Sequence, residues 1–290
     1  MKYQRNESLK KHTSFRIGGL AEYFCLPKSK EELQQALLFA KEKGLRVAIF
    51  GAGTNLLVLD EGFKGLVIQL GNGLNWIEVD KRKVRVGAGV SLPRLIRSIS
   101  RKGLGGLEFL AGIPGSVGGA VVMNSGAWGK EIGDLVGEVH VLDRSGKEKV
   151  IRNKQLGFAY RGSRLQQGKW IVFEVVFKLR RKKKKILLRK IKEYLSSRKA
   201  KQPVGSPNCG SVFKNPKGDF AGRLIEEAGC KGMRIGDAQV SSKHANFIVN
   251  LGEAKAKDVI KLMTRVQKAV KDKFKILLEP EIKIMVKSAA

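Results

Sequence analysis

The stretch "LEFLAGIPGSVGGAVVMNSGAWG", residues 107–129, is built almost wholly of small side chains. Its glycines cluster at Gly112, Gly115, Gly118 and Gly119. Such a segment can bring its backbone against a flat or charged ligand, because no side chain stands in the way. It lacks the Gly-Lys-Ser/Thr of a P-loop. The composition therefore favours a ligand-binding backbone, with a tightly packed core as the alternative.

A second glycine-rich stretch, "IFGAGTNLLV" at residues 49–58, follows a predicted strand. Gly51 and Gly53 match the start of a dinucleotide-binding fingerprint, but its third glycine position holds Leu56 and no helical pattern follows. A Rossmann site is therefore not expected. A tight turn still suits phosphate binding, since its backbone N–H groups attract oxygens, and a plain strand turn is the alternative.

Hydrophobic periodicity predicts an α+β fold. Ser29 and Glu32 form a capping-box pattern that begins a helix, and Gly44 ends it. Further helices are predicted within residues 91–103, 180–202, 219–229 and 253–274. Strands are predicted within residues 46–50, 65–70, 76–89, 137–151, 169–180, 244–250 and 275–285, with a domain boundary near 195–205.

The predicted helix at 180–202 carries a run of Lys and Arg, with Ile186, Leu187, Ile191 and Leu195 at helical spacing. A basic amphipathic helix of this kind can lie on RNA or on a membrane, or can expose a solvated face. The whole chain of 290 residues has a net charge of +31. This charge favours either an anionic partner or a lysine-rich surface of the kind found in heat-adapted proteins.

A hydrophobic content of 42% is enough for packed cores, so disorder is not expected. Cys25, Cys209 and Cys230 show no Cys-x-x-Cys pattern and predict neither a disulfide framework nor a metal site. Residues 1–15 lack the apolar core of a signal peptide, and no apolar run is long enough to span a bilayer. These features predict a cytoplasmic protein.

The stretch "NCGSVFKNPKGDF" at residues 208–220 places a small hydroxyl and a cation on a tight bend. Ser211 could give or take a proton there while Lys214 meets an anion. The alternative is an ordinary turn, because Gly, Asn, Pro, Lys and Asp are common loop residues.

Two further stretches contain charged candidates. "FAYRGSRL" could turn Arg161 into a cleft, where a guanidinium holds a carboxylate by two hydrogen bonds, although a surface arginine is the alternative. "LLEPEIKIM" places Glu279 and Glu281 two apart on a predicted strand, facing the same side. This acidic pair could protect an edge strand from pairing with another chain, or it could include a functional carboxylate.

Taken together, these stretches resemble the UDP-N-acetylenolpyruvoylglucosamine reductase (MurB) family in its shorter form. The resemblance runs from about residue 8 to residue 286, and the motifs stand in the expected order: "HTSFRIGGLAEYF", "FGAGTNLLV", "LEFLAGIPGSVGGAVVMNSGAWG", "YRGSRL", "KQPVGSPNCGSVFKNP", "GDAQVSSKHANFIVN" and "LEPEIKIM". One departure is Cys209, where a small inert residue is expected and a thiol adds a risk of oxidation.

The resemblance implies an FAD-binding fold of the vanillyl-alcohol oxidase (PCMH) type in two subdomains, followed by a C-terminal α+β substrate-binding domain. The implied FAD-binding subdomains are residues 1–71 and 72–198, and the implied substrate-binding domain is 199–274. The C-terminal strand, 275–290, is expected to rejoin the first subdomain.

The resemblance also implies roles for individual residues. Ser211, Arg161 and Glu281 would be catalytic. Substrate contacts are expected from Tyr160, Lys201, Lys214, Asn215, His244 and Asn246. FAD contacts, mostly through backbone atoms, are expected from Gly51, Ala52, Gly53, Thr54, Asn55, Ile113, Pro114, Gly115, Ser116, Gly118, Gly119, Asn124 and Gly126.

The implied reaction is the NADPH-driven reduction of UDP-N-acetylglucosamine enolpyruvate to UDP-N-acetylmuramate in peptidoglycan precursor synthesis, with FAD as cofactor. Hydride would pass from flavin N5 to the β-carbon, and Ser211 would protonate the α-carbon. Arg161 and Glu281 would flank the carboxylate and the enolate. The expected partners are these small molecules, with neither nucleic acid nor membrane, and a monomer is expected.

Two rival functions stay open at the level of sequence. An alcohol oxidase of the same fold often tethers its flavin through a histidine, but His12, His140 and His244 lie outside the glycine-rich segments. A nucleic-acid-binding protein would account for the charge, but aromatic residues are not interleaved with the basic run as a stacking platform requires.

Overall fold

The computed structural model of the protein describes residues 1–71 and 73–285. The predicted boundary residue 72 and the end of the predicted C-terminal strand, 286–290, lie outside the described residues. The chain divides into two compact units. Unit 1 comprises residues 1–5, 23–52 and 65–197, and unit 2 comprises residues 6–22, 53–64 and 198 onward.

The α-helices of the described chain are α1 (Lys30–Glu42), α2 (Leu92–Arg101), α3 (Val117–Val122), α4 (Lys184–Lys201), α5 (Ala221–Glu227) and α6 (Ala256–Phe274). Its strands are β1 (Gln4–Ser8), β2 (Leu20–Cys25), β3 (Val47–Phe50), β4 (Leu56–Val58), β5 (Phe63–Gln69), β6 (Ile77–Asp80), β7 (Lys83–Gly87), β8 (Leu104–Gly105), β9 (Gly126–Ala127), β10 (Lys130–Glu131), β11 (Val136–Leu142), β12 (Glu148–Arg152), β13 (Ile171–Lys178), β14 (Arg180–Arg181), β15 (Asn208–Ser211), β16 (Arg234–Ile235), β17 (Ala238–Val240), β18 (Phe247–Asn250) and β19 (Lys283–Met285).

Unit 1 is built around a five-stranded antiparallel sheet in the order β12-β11-β13-β7-β6. Its central strand, β13, is buried along nearly its whole length, which explains an apolar run in the sequence that is interrupted by Glu174. Strands β3 and β5 pair in parallel within a second sheet, of order β1-β2-β5-β3. The predicted cap of α1 is confirmed, because Ser29 accepts a hydrogen bond from the Glu32 N–H.

Unit 2 contains an antiparallel sheet in the order β15-β18-β17-β16, with α6 packed against β16 and β17. The inner face of α6 buries Val259, Leu262, Val266 and Val270, at the three- and four-residue spacing of a helix. Strand β19 pairs in parallel with β4, so the described end of the chain returns to residues 56–58.

Helix α4 forms as predicted, but its inward face differs from the predicted one. Leu187 is buried, and Ile191 and Tyr194 pack against the same core, whereas Ile186 and Leu195 are exposed. The reason is the helical period: positions 187, 191 and 194 lie on one side, and positions 186 and 195 point away from it.

Two other predictions need correction. Within residues 275–285 the predicted C-terminal strand is regular only over β19, and Pro280, which has no N–H to offer, forms an isolated bridge with Phe213. Glu279 and Glu281 therefore lie on either side of this bridge, outside any strand. Helix α3 was not expected, since glycine is a poor helix former.

Candidate active site

In unit 1, the turn after β3 packs against the start of α3. A Cβ on Gly51 would overlap the Ser116 Oγ, so the turn requires glycine at this position. Ser116 caps α3 by accepting a hydrogen bond from the Gly119 N–H. A Cβ on Gly118 would come within 2.8 Å of the Ala88 Cβ. Close packing of the protein therefore accounts for Gly51 and Gly118.

Gly119 is not explained in this way. Its φ is not positive, and a Cβ would contact only the Ser116 Oγ among the described side chains and neighbouring segments, at 3.3 Å. A flat molecule lying on this surface would explain the glycine. Ile113 and Gly115 beside it are half-buried, and Pro114 is exposed. These residues therefore fit a group such as FAD, held mainly by backbone atoms.

Arg161 lies at the tip of a tight turn. Ala159 and Gly162 exchange two backbone hydrogen bonds, of 3.0 and 2.9 Å, and Arg161 has a φ of +53°. The Arg161 guanidinium lies 5.1 Å from the centre of the exposed Tyr160 ring. Its Nη1 would be 3.4 Å from a Cβ on Gly126. The structure thus brings three predicted residues together: Arg161, Tyr160 and Gly126.

Asn124 is wholly buried and connects this turn to the β9–β10 hairpin. Its Nδ2 donates to the Ala159 carbonyl at 2.9 Å and to the Glu131 Oε2 at 2.5 Å. Its Oδ1 accepts from the Gly133 N–H at 3.0 Å. Both N–H donors of the side chain are therefore engaged with protein groups.

In unit 2, two other segments hold the turn that carries Gly53, Thr54 and Asn55. Gly53 has a φ of +66°, and its carbonyl accepts from the Ser14 N–H at 3.1 Å. The Asn55 Nδ2 donates to the Glu281 carbonyl at 3.2 Å. This half of the predicted cofactor-binding turn is therefore bonded to the backbone of the predicted catalytic Glu281.

Ser211 ends β15 just after a β-bulge. Asn208 pairs with Val249 and Ser211 pairs with Phe247, so β15 has one residue more than β18. Gly210, inside the bulge, has a φ of +81°, which glycine adopts without strain. The bulge determines the direction in which the half-buried Ser211 points.

The backbone after Ser211 is held on both sides. The buried Asn246 side chain accepts from the Phe213 N–H at 3.0 Å and donates to the Phe213 carbonyl at 2.8 Å. On the other side, the Val212 carbonyl accepts from the Glu281 N–H at 2.8 Å. Asn246 thus fixes the segment between Ser211 and Lys214, and its predicted contact with substrate stays a prediction.

Lys214 is paired with the carboxylate next to this segment. Its Nζ lies 3.0 Å from the Glu279 Oε2, and its N–H donates to the Glu279 carbonyl at 2.8 Å. Both side chains are partly exposed, so the pair contributes at most about 1 kcal/mol. An arriving anion can therefore replace Glu279 at Lys214. Lys201 is the last residue of α4 and is exposed.

The other two predicted substrate residues support the local backbone. The Asn215 Oδ1 accepts from the Ala221 N–H at 3.0 Å and so satisfies the first N–H of α5. The His244 Nδ1 accepts from the Asn246 N–H at 3.2 Å, and its ring lies against Gly222. Burial lowers the pKa of His244, so the imidazole is neutral at pH 7.

Cys209 is fully buried, which changes the significance of the thiol near Ser211. Burial, with a smaller contribution from the charge of Glu281, raises the pKa of Cys209 to about 12. The reactive thiolate is therefore scarce, and the risk of oxidation anticipated from the sequence is small.

Ser14 and Asn208, for which the sequence analysis predicts no role, join the turn of residues 53–55 to strand β15, which ends at Ser211. The Ser14 Oγ donates to the Asn208 carbonyl at 2.6 Å, while the Ser14 N–H bonds to Gly53. The Asn208 Oδ1 accepts from the Gly210 N–H at 2.9 Å and so stabilises the bulge. Ser14 belongs to the "HTSFRIGG" motif, and this motif is the feature of the sequence that could have identified it as a site residue.

Within residues 1–71 and 73–285, no group of His, Cys, Asp and Glu side chains has the arrangement needed to hold a metal ion. No helix in the same residues is both long and apolar enough to cross a membrane.

Comparison with known proteins gives a consistent result. Residues 202–285 match the family described as UDP-N-acetylenolpyruvoylglucosamine reductase, C-terminal domain, and residues 21–152 match the FAD binding domain. The UDP-N-acetylenolpyruvoylglucosamine reductase 2 of Symbiobacterium thermophilum is 51% identical, over 97% of this chain and 91% of its own. The reductase of Bacillus subtilis is 43% identical, over 97% and 93%.

A solved structure is similar over nearly the whole length. The UDP-N-acetylenolpyruvylglucosamine reductase (MurB) from Thermus caldophilus superposes with a TM-score of 0.84. It is 41% identical in sequence, and the match covers 98% of this chain and 99% of that one.

Proposed function

Since the chain belongs to the UDP-N-acetylenolpyruvoylglucosamine reductase family, we propose that it uses NADPH to reduce UDP-N-acetylglucosamine enolpyruvate to UDP-N-acetylmuramate, for peptidoglycan precursor synthesis. The observation that carries this proposal is the position of Ser211 at the end of a bulged strand. The backbone that follows Ser211 is bonded directly to Glu281, which in turn is bonded to the cofactor turn at Asn55.

The residues that would hold FAD belong to segments described separately in the two units. In unit 1 these are the Gly51–Ala52 turn and residues 113–126, and in unit 2 the turn of residues 53–55. When bound, FAD supplies the hydride chemistry that amino-acid side chains lack. The domain limits 1–71, 72–198 and 199–274, with the return of 275–290, remain part of this proposal.

Ser211 would deliver the proton to the α-carbon of the substrate. A serine hydroxyl is a weak acid, so its proton transfer needs a cation nearby, and Lys214 lies three residues further along the same fixed segment. A positioned general acid contributes about 10²–10⁴-fold to the rate.

Arg161 would stabilise the negative charge on the substrate carboxylate and on the enolate, as a preorganised cation. Glu281 would share this work, and its N–H is already fixed by the Val212 carbonyl. The remaining substrate contacts would come from Tyr160, Lys201, Asn215, His244 and Asn246.

The test is an anaerobic absorbance experiment on the purified protein. The flavin colour should bleach with NADPH and return when UDP-N-acetylglucosamine enolpyruvate is added. In the Ser211→Ala variant bleaching should be unchanged, whereas the return of colour should be about 10²-fold slower or worse. Ser206→Ala, at an exposed position in the preceding loop, is the matched control and should behave like the wild type.

Two results would contradict the proposal. A colourless protein that takes up no added FAD would exclude flavin chemistry and would favour nucleic-acid binding. A yellow protein whose colour returns only with oxygen would be an oxidase.

A further inference from the structure

The buried Asn124 holds the turn of Arg161 from below. It is 0% exposed and has a φ of +45°, a backbone conformation that asparagine tolerates better than most residues. Its side chain bonds to Ala159 at the base of the turn, to Glu131 of β10 and to Gly133 just after that strand. A single amide therefore joins three segments of unit 1.

The other side of the turn is hydrogen-bonded to Val122, which lies two residues before Asn124. The Ser163 Oγ donates to the Val122 carbonyl at 2.7 Å. The Gln166 Nε2 donates to the Arg161 carbonyl at 2.9 Å and lies 3.3 Å from the same Val122 oxygen. The end of α3 and the residues after it thus anchor both sides of the turn, and Arg161 projects from a fixed frame.

We propose that Asn124 is a positioning residue for Arg161, acting through the Ala159 carbonyl rather than by contact with a ligand. This inference rests on the proposed function in so far as Arg161 is the cation for the substrate carboxylate. The role differs from the cofactor contact that the family resemblance implies for Asn124, and the two can be separated by experiment.

A displaced guanidinium has a selective effect. Misplacing a charged group by about 1 Å can cost about 10²-fold in rate. Arg161 acts on the enolpyruvyl sugar, whereas bleaching by NADPH does not need it. Loss of Asn124 should therefore slow the return of colour about 10- to 100-fold, with little change in bleaching or in FAD content.

The variant to use is Asn124→Gly, because glycine keeps the positive φ while the amide is removed. Asn153→Gly is the matched control. The Asn153 Nδ2 donates to the Gly133 and Val136 carbonyls, both at 2.8 Å, so it supports the same region without bonding to Ala159.

The first measurement is hydrogen exchange of the Ala159 and Gly162 amides, which bond across the turn. Asn124→Gly should speed their exchange at least about 10-fold while β13 stays protected, and Asn153→Gly should not. Unchanged exchange in Asn124→Gly would overturn the proposal, and so would equal acceleration in both variants.

The second measurement is a double-mutant cycle with Arg161→Ala. If Asn124 acts through Arg161, the double variant should regain colour no more slowly than Arg161→Ala alone. Additive losses would overturn the proposal, as would loss of bound FAD from Asn124→Gly. A wild-type protein that fails to regain colour would contradict the proposed function, and the exchange experiment would still decide whether Asn124 fixes the turn.

Discussion

Cys209 lies two residues before Ser211, yet its environment makes it inert. Its burial and its pKa of about 12 predict that iodoacetamide at pH 8 does not label it in the folded protein, whereas denatured protein is labelled fully. Mass spectrometry of each cysteine checks this. Cys25 is an internal control, since burial raises its pKa to about 12 as well. Rapid labelling of native Cys209 would contradict the prediction.

For the individual residues Asn246 and His244, the sequence does not predict which groups their side chains bind. The motif "KHANFIVN" identifies both residues as candidates, but an amide or an imidazole can face either a ligand or the backbone. In the structure, the Asn246 amide binds both polar groups of Phe213, and His244 accepts from the Asn246 N–H. The two bonds between Asn246 and Phe213 link residues 33 positions apart in the chain, so local pattern cannot reveal them.

The β15 bulge is the element that directs Ser211, and Gly210 is its weak point. Gly210→Ala places a Cβ in open space, so its cost is backbone strain at a φ of +81°, about 1–3 kcal/mol in free energy of unfolding. Relief of this strain would flatten the bulge and turn Ser211. We expect the return of flavin colour to slow at least about 10-fold. Urea unfolding of the same variant measures its loss of free energy of unfolding.

Gly232→Ala is the matched control for this element. Gly232 has a φ of +80°, and a Cβ there also meets nothing within 4 Å, but it lies on a turn before β16. It should lose a similar free energy of unfolding and keep its activity. Equal loss of activity in both variants would show that strain acts through overall stability and not through the bulge.

Elements with strong local signals were predicted correctly, and elements formed by tertiary contact were not. The Ser29 cap and the apolar run of β13 are local features, and both are confirmed. Helix α3 contains two adjacent glycines, so propensity argues against it, but Ser116 caps it and Val117 and Val121 are buried. Before the short strand β19, Pro280 forms its bridge with Phe213, 67 positions away in sequence, and β19 itself pairs with the distant β4.

For the whole molecule, the order of the motifs predicted the family and the fold class, and composition did not. The predicted fold class, family and flavin-dependent oxidoreductase class are confirmed by relatives that match over about 97% of the chain and by the fold of a solved family member. Composition alone left nucleic-acid binding open, because a net charge is a property of the surface and does not specify a site.

The charge of +31 should instead act on how quickly anionic substrates arrive. At about 10 mM salt the protein's field extends roughly 30 Å, but at about 500 mM it is screened within a few ångströms. We expect kcat/KM for NADPH and for the UDP-sugar to fall about 10-fold between these conditions, while kcat changes less than about twofold, because screening affects encounter and leaves chemistry unchanged.

Lys185, Arg189 and Lys192 on the exposed side of α4 provide the local test. Replacing all three by Gln should weaken the salt dependence if this helix contributes to attraction. A kcat/KM that is insensitive to salt would contradict steering altogether, and the lysine-rich surface would then be only a solvated one.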